Sequence, residues 1–145
     1  MARDDLDRKL LALLQNNARD STAHLARKLG VARTTVLARI ARLERDGVVL
    51  GYSARLAHDE AGHGVQAFVG ITVEPKAARE VTRQLGKLPE LKQLCSVSGE
   101  FDYIATLRAE STRRLDALLD EIGDIKGVIK TTTSVVLAMR IDRGS

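Results

Sequence analysis

Arginine and threonine side chains are concentrated in one short run of the chain, RTTVLARIARLER at positions 33–45. Arginine donates paired hydrogen bonds to phosphate oxygens and to guanine, and threonine hydroxyls bond phosphates or base edges. Both residue types therefore favour contact with nucleic acid. The side chains that we predict to contact DNA are Arg33, Thr34, Thr35, Arg39 and Arg42.

These side chains need a helix that presents them outward. Apolar residues recur at helical spacing and predict a buried face, with arginines and threonines around the remainder; they are Ala32, Val36, Ile40 and Leu43. A shorter helix precedes it, for which Ser21 is the predicted N-terminal cap and Gly30 the left-handed end. A short helix, a glycine turn and a cationic second helix are the layout of a helix-turn-helix, whose second helix enters the major groove.

Charge is unevenly distributed along the chain. Positions 27–55 hold seven cationic and two acidic residues, a net charge of +5, whereas the whole chain carries +4. Such a local patch suits a polyanion-binding surface, and a solvated charged face is the alternative interpretation. The helical spacing of the arginines favours DNA.

A change of periodicity along the chain predicts two domains. Positions 1–56 begin with an amphipathic leucine helix and end, after the helix-turn-helix, with a β wing or departing strand in Val48–Leu50 and Tyr52–Leu56. Positions 57–64 are polar and contain glycine, which predicts a hinge. Positions 65–145 show strand, helix, strand twice over, the ferredoxin-like arrangement. The predicted fold class is α+β: a winged helix-turn-helix domain followed by a ferredoxin-like βαββαβ domain.

Local signals mark the elements of the second domain. Pro75 opens a helix that ends before Pro89, and Ser111 caps a helix that Gly123 ends. The two helices cover one face of the sheet, and the other face, left bare, needs a partner. The predicted strands are Val65–Val73, Leu91–Ser98, Phe101–Leu107 and Val128–Ile141.

The sequence lacks the residue patterns that several classes of function require. Cys95 is the single cysteine, and its apolar surroundings in the sequence are interpreted as those of a buried core thiol. His58 and His63 have no cysteine or carboxylate cluster at ligand spacing, so we predict neither a metal site nor a cofactor. The sequence shows neither a set of nucleophile and base residues nor a phosphate-binding glycine loop, so we do not predict an enzyme. The charged start, MARDDLDRKL, and the lack of an apolar run near the ~20 residues of a membrane span predict a cytoplasmic protein without membrane contact.

Over nearly its whole length the chain resembles the Lrp/AsnC, or feast/famine, transcriptional regulators. The stretches that carry the resemblance are LDRKLLALLQNNAR, LARKLGVARTTVLARIARLERDGVVLGY, and SGEFDYIATL followed by GVIKTTTSVVL. The resemblance implies binding to double-stranded DNA as a dimer, often assembled into an octamer, and modulation by an amino acid. Ala32 departs from the family, which often has a capping serine there, and so does Asp20, where an apolar residue is usual.

The resemblance also implies an effector site in the second domain. Gly99, Asp102 and Tyr103 match the family's Gly-x-x-Asp-Tyr turn, and the last strand is expected to form the other side of the site. A carboxylate there can bind an ammonium group, while backbone amides and hydroxyls can bind a carboxylate, which suits an amino acid. The predicted effector residues are Gly99, Glu100, Asp102, Tyr103, Thr131, Thr133 and Ser134.

Other interpretations of the same residues stay open at this level. SGEFDYI can be an ordinary hairpin turn in which Asp102 bonds local amides, and the protein is then a DNA-binding architectural or oligomerisation protein without an effector. An enzyme with a regulatory module lacks a catalytic set, and a scaffold would not need Arg39 and Arg42 on a groove-sized helix. RNA binding is disfavoured because aromatic residues, which stack on bases, make up only 3% of the chain.

Overall fold

A computed structural model describes residues 3–57 and 64–143. The chain forms two compact units that divide between Ala54 and Arg55. Most of the predicted hinge, including His58 and His63, lies outside the described residues, so the predicted domain boundaries stay a prediction. Within the described ranges, no helix is long and apolar enough to cross a membrane.

Three helices form the N-terminal unit: α1 (Asp5–Asn16), α2 (Thr22–Leu29) and α3 (Arg33–Arg45). Each helix turns one apolar side toward a shared core, which leaves the other side of α3 in solvent. The buried apolar residues of this core are Leu10, Leu14, Leu25, Ala26, Val36 and Leu43. Ala32, predicted for the buried face of α3, is exposed because it precedes the first turn of that helix.

Polar side chains fix the starts of the first two helices. The Asp4 carboxylate accepts a hydrogen bond from the backbone N–H of Asp7 at 2.9 Å. The Ser21 hydroxyl accepts one from the backbone N–H of His24 at 3.1 Å, so the predicted cap is confirmed. Gly30, at φ +68°, ends α2 in the left-handed conformation, as its position in the sequence predicts.

The segment after α3 closes that helix instead of forming the predicted wing. Val48 and Val49 both donate their backbone N–H to the carbonyl oxygen of Leu43, at 2.9 and 3.1 Å. The left-handed Gly47, at φ +73°, turns the chain so that both valines pack against the helical core. Since these groups serve the helix end, residues 48–57 contain no strand, and the prediction of a β wing or a departing strand here is wrong.

Strands and helices alternate in the C-terminal unit. The elements are β1 (Val65–Val73), a 3-10 turn (Pro75–Ala77), α4 (Ala78–Leu85), β2 (Leu91–Ser96), β3 (Tyr103–Ala109), α5 (Thr112–Gly123) and β4 (Val128–Val135). The four strands pair antiparallel in the order β2-β3-β1-β4, which confirms the predicted ferredoxin-like domain. The Ser111 hydroxyl caps α5 by accepting a hydrogen bond from Arg114 N–H at 3.1 Å, as predicted.

Both helices cover the same face of the sheet. Val69 and Ile71 of β1, in the centre of that face, are completely buried against residues of α4 and α5. Among the described residues of this unit, no helix covers the opposite face, which we call the bare face, and Phe68 there is 41% exposed. Beside it the ring of Phe101 lies directly over Gly70, where a Cβ would come within 2.6 Å of the ring carbon Cδ2.

Cys95 belongs to this bare face. In the β2–β3 register Leu94 lies opposite the buried Ala105, and Cys95 lies opposite Ile104. Because successive strand residues point to opposite faces, Leu94 packs on the core and Cys95 does not. The cysteine is exposed, and its interpretation as a buried core thiol is wrong.

The last strand is shorter than predicted. β4 ends at Val135, followed by one more bond from Val136 N–H to the carbonyl of Gln66 at 2.8 Å, because its neighbour β1 begins at Val65. From residue 137 to residue 143 the chain forms no further strand. Apolar side chains recur at every second position there and stay in solvent, with Leu137 95% exposed.

Candidate DNA-binding surface and effector site

The solvent side of α3 combines cations and a hydroxyl with small and apolar residues. Arg33 and Thr34 lie in the first turn and Arg45 in the last, and all three are exposed. The structure gives neither Arg33 nor Arg45 a carboxylate partner within the described residues. We call this surface the α3 outer face; it consists of Arg33, Thr34, Leu37, Ala38, Ala41, Glu44 and Arg45.

Arg39 and Arg42, which the sequence also predicts to contact DNA, lie on another side of α3 and bind carboxylates of the α1 region. Arg39 Nη1 is 2.6 Å from Asp4 Oδ2 and 3.1 Å from Asp7 Oδ1. Arg42 Nη2 is 2.7 Å from Asp7 Oδ2. Thr35 is half-buried between the two sides. Contact of these three residues with DNA stays a prediction.

The ion pairs shift the pKa values of Asp4 and Arg39. The hydrogen bond from Arg39 is the main cause that lowers the pKa of Asp4, and the bond from Asp7 N–H adds to it. The hydrogen bonds that Arg39 donates to Asp4 and then to Asp7 raise the pKa of Arg39. Asp7 itself is only 1% exposed, so its charge is compensated by the two guanidinium groups rather than by water.

Sequence reasoning missed Asp7 because it read the acidic residues of α1 only as partners of the helix dipole. One signal could have found it. Asp7 stands three positions before Leu10 and seven before Leu14, on the buried stripe of α1. An acid on an apolar stripe indicates a buried partner of opposite charge.

A second carboxylate binds side chains of α2. Asp20, whose side chain is 6% exposed, lies 2.5 Å from His24 Nδ1 and 3.0 Å from Lys28 Nζ. The hydrogen bond from Lys28 is the first cause that lowers the pKa of Asp20. The departure from the family at this position therefore brings a polar cluster to the start of α2.

The predicted effector turn is fastened to β1. The Asp102 carboxylate accepts a hydrogen bond from Val73 N–H at 2.8 Å, and Asp102 N–H donates to the carbonyl of Ile71 at 3.0 Å. Gly99, at φ +109°, and Glu100 are exposed in the turn itself. The carboxylate thus has a structural bond and retains acceptor capacity, because an ionised carboxylate offers about four lone-pair sites.

The other predicted effector residues divide between the two faces of the sheet. Ile71 pairs with Tyr103 on one side and with Thr131 on the other, so these two side chains share its face at the same end of the sheet as Asp102. Thr133 is further along that face, opposite Val69. Ser134 points the other way, beside Phe68 on the bare face. Tyr103, Thr131 and Thr133 thus lie on the helix-covered face and Ser134 on the bare face, while Asp102 precedes Tyr103 at the same end of the sheet.

Two family models match the chain. The AsnC-type helix-turn-helix domain matches residues 4–44, and the Lrp/AsnC ligand binding domain matches residues 66–145. The chain belongs to the Lrp/AsnC family. This Lrp/AsnC protein is a transcriptional regulator with a DNA-binding helix-turn-helix domain and a domain of the family's ligand-binding type.

Relatives of this Lrp/AsnC regulator match it along almost the whole chain. An uncharacterised HTH-type transcriptional regulator of Pyrococcus abyssi is 33% identical over 94% of this chain and 87% of its own length. The crystal structure of the leucine response regulatory protein of Mycobacterium tuberculosis matches with a TM-score of 0.82 and 34% identity, covering 97% of this chain and 96% of that one. A Neisseria meningitidis transcriptional regulator, crystallised as an L-Met complex, matches with a TM-score of 0.81 and 26% identity, covering 97% and 94%.

Proposed function

We propose that this Lrp/AsnC regulator binds duplex DNA sequence-specifically by inserting the α3 outer face into the major groove. The observation that carries the proposal is that Arg33, Thr34 and Arg45 stand in solvent on one side of a helix whose opposite side packs in the core. A major groove about 12 Å wide admits one helix. Residues at the N-terminal end of such a helix contact base edges, which gives Arg33 and Thr34 the leading part.

Replacing Arg33 tests this proposal. Arg33→Ala should weaken binding to every duplex and reduce the slope of log affinity against log salt by about 0.9 for each lost phosphate contact. Fluorescence anisotropy titrations at several salt concentrations measure both quantities. Arg79→Ala, which removes the same charge from an exposed position on α4, is the control. Equal effects of the two variants would show that only net charge matters and would contradict the proposal.

We propose further that two copies act together and that the bare sheet face joins them. The exposed Phe68 and the ring of Phe101 make part of that face apolar, and such a surface is usually covered in an assembly. A symmetric dimer would carry two recognition helices, which must lie about 34–36 Å apart, or a multiple of this, to enter successive major grooves. Assembly of dimers into an octamer stays a prediction.

An amino acid is the effector that we propose for the C-terminal domain. Asp102 provides a carboxylate for the ligand ammonium, while the hydroxyls of Tyr103 and Thr131 and the amides near Gly99 suit its carboxylate. The Neisseria relative crystallised with L-Met supports a ligand of this class. Such a ligand can change DNA binding by its differential affinity for two arrangements of the assembly, typically 1–3 kcal/mol.

Calorimetric titration with a panel of L-amino acids, beginning with methionine, tests the effector. We expect at least one to bind, and Asp102→Asn to weaken it about tenfold or more because a charge-assisted bond is lost. Asparagine retains an acceptor for Val73 N–H, so the turn should stay folded. No heat and no thermal shift with any amino acid would contradict the proposal and favour the architectural alternative.

A further inference from the structure

Asp7 is the one charged residue that the described part of the chain buries. It occupies the stripe of α1 that also carries Leu10 and Leu14 into the core. Burying a carboxylate costs free energy unless opposite charges and donors bind it, and an apolar side chain would fill such a position at lower cost. The carboxylate must therefore serve the residues that it binds.

Those residues are two arginines one turn apart on α3. Each carboxylate oxygen of Asp7 accepts a bond from a different one: Oδ1 from Arg39 Nη1 at 3.1 Å and Oδ2 from Arg42 Nη2 at 2.7 Å. Arg39 Nη1 also binds Asp4 Oδ2, which lies just before α1. The two helices are thus joined at two points along α3.

Two such contacts fix the rotation and axial position of α3, which apolar packing alone leaves variable. Hydrophobic contact is non-directional, so a helix can rotate or slide slightly over its neighbours at small cost. Charge-assisted hydrogen bonds are directional, and a pair of them at positions i and i+3 sets both the rotation and the axial position of α3. Arg33 and Thr34 belong to the same helix, so their direction toward DNA follows from that setting.

We infer that Asp7 is a positioning residue for DNA recognition: it holds Arg39 and Arg42 and thereby sets the orientation of the α3 outer face. The two arginines act on DNA through this contact and are not themselves the phosphate ligands. The inference rests on the proposed DNA-binding function and adds to it a residue that never touches DNA.

The test compares wild type with Asp7→Asn, which keeps the shape of the side chain and removes its charge. Two probes are used: a duplex selected by the wild-type protein from a random library, and a scrambled duplex of equal length. We expect the ratio of the two affinities to fall about tenfold or more, since misdirected side chains lose base contacts. The salt slope on the scrambled duplex should stay the same, because no phosphate contact is gained or lost.

Opposite results overturn the inference. If Asp7→Asn leaves the affinity ratio unchanged, Asp7 does not position the helix. If it tightens binding to the scrambled duplex and steepens the salt slope by about 0.9 per released arginine, Arg39 and Arg42 are phosphate ligands. A wild-type protein that binds no duplex contradicts the proposed function itself, which separates that failure from the failure of this inference.

A second set of variants separates positioning from loss of stability. Leu14→Ala destabilises the same helix without touching the arginines, so it should keep the affinity ratio at a temperature where every variant is folded. Arg42→Gln and the double variant with Asp7→Asn complete a double-mutant cycle. Removing both partners leaves no uncompensated buried charge, so the double variant should fold even if a single one does not. If the two single variants and the double variant all lower the affinity ratio by the same factor, the result supports positioning. If the factor for the double variant is the product of the two single factors, the inference is overturned.

Discussion

Guanidinium groups of this protein meet carboxylates in two different environments. On the surface of α4, Arg83 Nη2 is 2.6 Å from Glu80 Oε1, and both side chains are more than half exposed. Between α1 and α3, Arg39 and Arg42 meet Asp7, which water does not reach. Solvent screens the first pair and not the second, so pairs of similar length contribute differently to stability and orientation.

The contribution of the Glu80–Arg83 pair to the free energy of unfolding should decrease as pH falls. Hydrogen bonds from Arg83 and then from Gln84 lower the pKa of Glu80 from 4.5 to about 2. A carboxyl group with a lowered pKa in the folded state stabilises the fold above its unfolded pKa and loses that contribution as pH falls to the folded value. We therefore expect Glu80→Gln to be less stable than wild type at about pH 6, and this deficit to shrink as pH falls from 4.5 to about 2. Urea unfolding of both proteins across the range measures it, and a deficit independent of pH would refute it.

At this scale the sequence predicted residue types better than partners. The basic and hydroxyl-bearing side chains of α3 were predicted from its periodicity, and Arg33 and Thr34 do stand in solvent. Periodicity describes one element at a time, however, so it could not pair Arg39 with Asp7, 32 positions earlier. Only the folded arrangement of α1 and α3 brings these charges together.

Helices α2 and α3 begin with nearly the same backbone conformation but with different caps. Ser21 has φ −68° and ψ 152°, Ala32 has φ −71° and ψ 150°, and of these two residues only Ser21 provides a side-chain hydrogen bond. Ala32→Ser should therefore cap α3 without strain and raise the free energy of unfolding by about 0.5–2 kcal/mol. Thermal and urea unfolding measure this gain. The reverse change, Ser21→Ala on α2, should cost a similar amount, and a serine at 32 that gives no gain would show that α3 needs no cap.

Element types followed from the sequence more reliably than element ends. Helix ends carry local signals, and Ser111 and Gly30 act as predicted. Strand ends depend on the neighbouring strand, which local signals do not describe. β4 stops at Val135 because β1 offers no further partner, although the apolar alternation continues to Ile141. Phe101, predicted to begin β3, instead folds back over Gly70.

The whole molecule combines two folds that could be predicted separately, because each has its own hydrophobic period. Assembly is harder to predict from the sequence. Apolar and polar residues alternate along a strand in the same way whether water or a second copy of the chain covers its outer face. The structure adds the identity of the bare face, with Phe68 among its exposed residues.

A charge on that face should separate the copies. Phe68→Lys places an ammonium group where the proposed dimer buries an aromatic ring, so it should shift the protein toward monomer in sedimentation velocity. DNA binding should weaken with it, because two linked recognition helices bind more tightly than one. Thr82→Lys, on the exposed surface of α4, is the control and should leave the assembly intact. A dimer that survives Phe68→Lys would require a different interface.

The apolar stretch that follows β4, residues 137–141, has a consequence for handling the protein. It continues an edge strand, its apolar side chains alternate with others, and Leu137 is almost completely exposed. An extended, apolar continuation of an edge strand is a template on which a strand of another chain can pair. Conditions that leave this segment uncovered should therefore produce turbidity and slow precipitation, which light scattering over days of storage would measure.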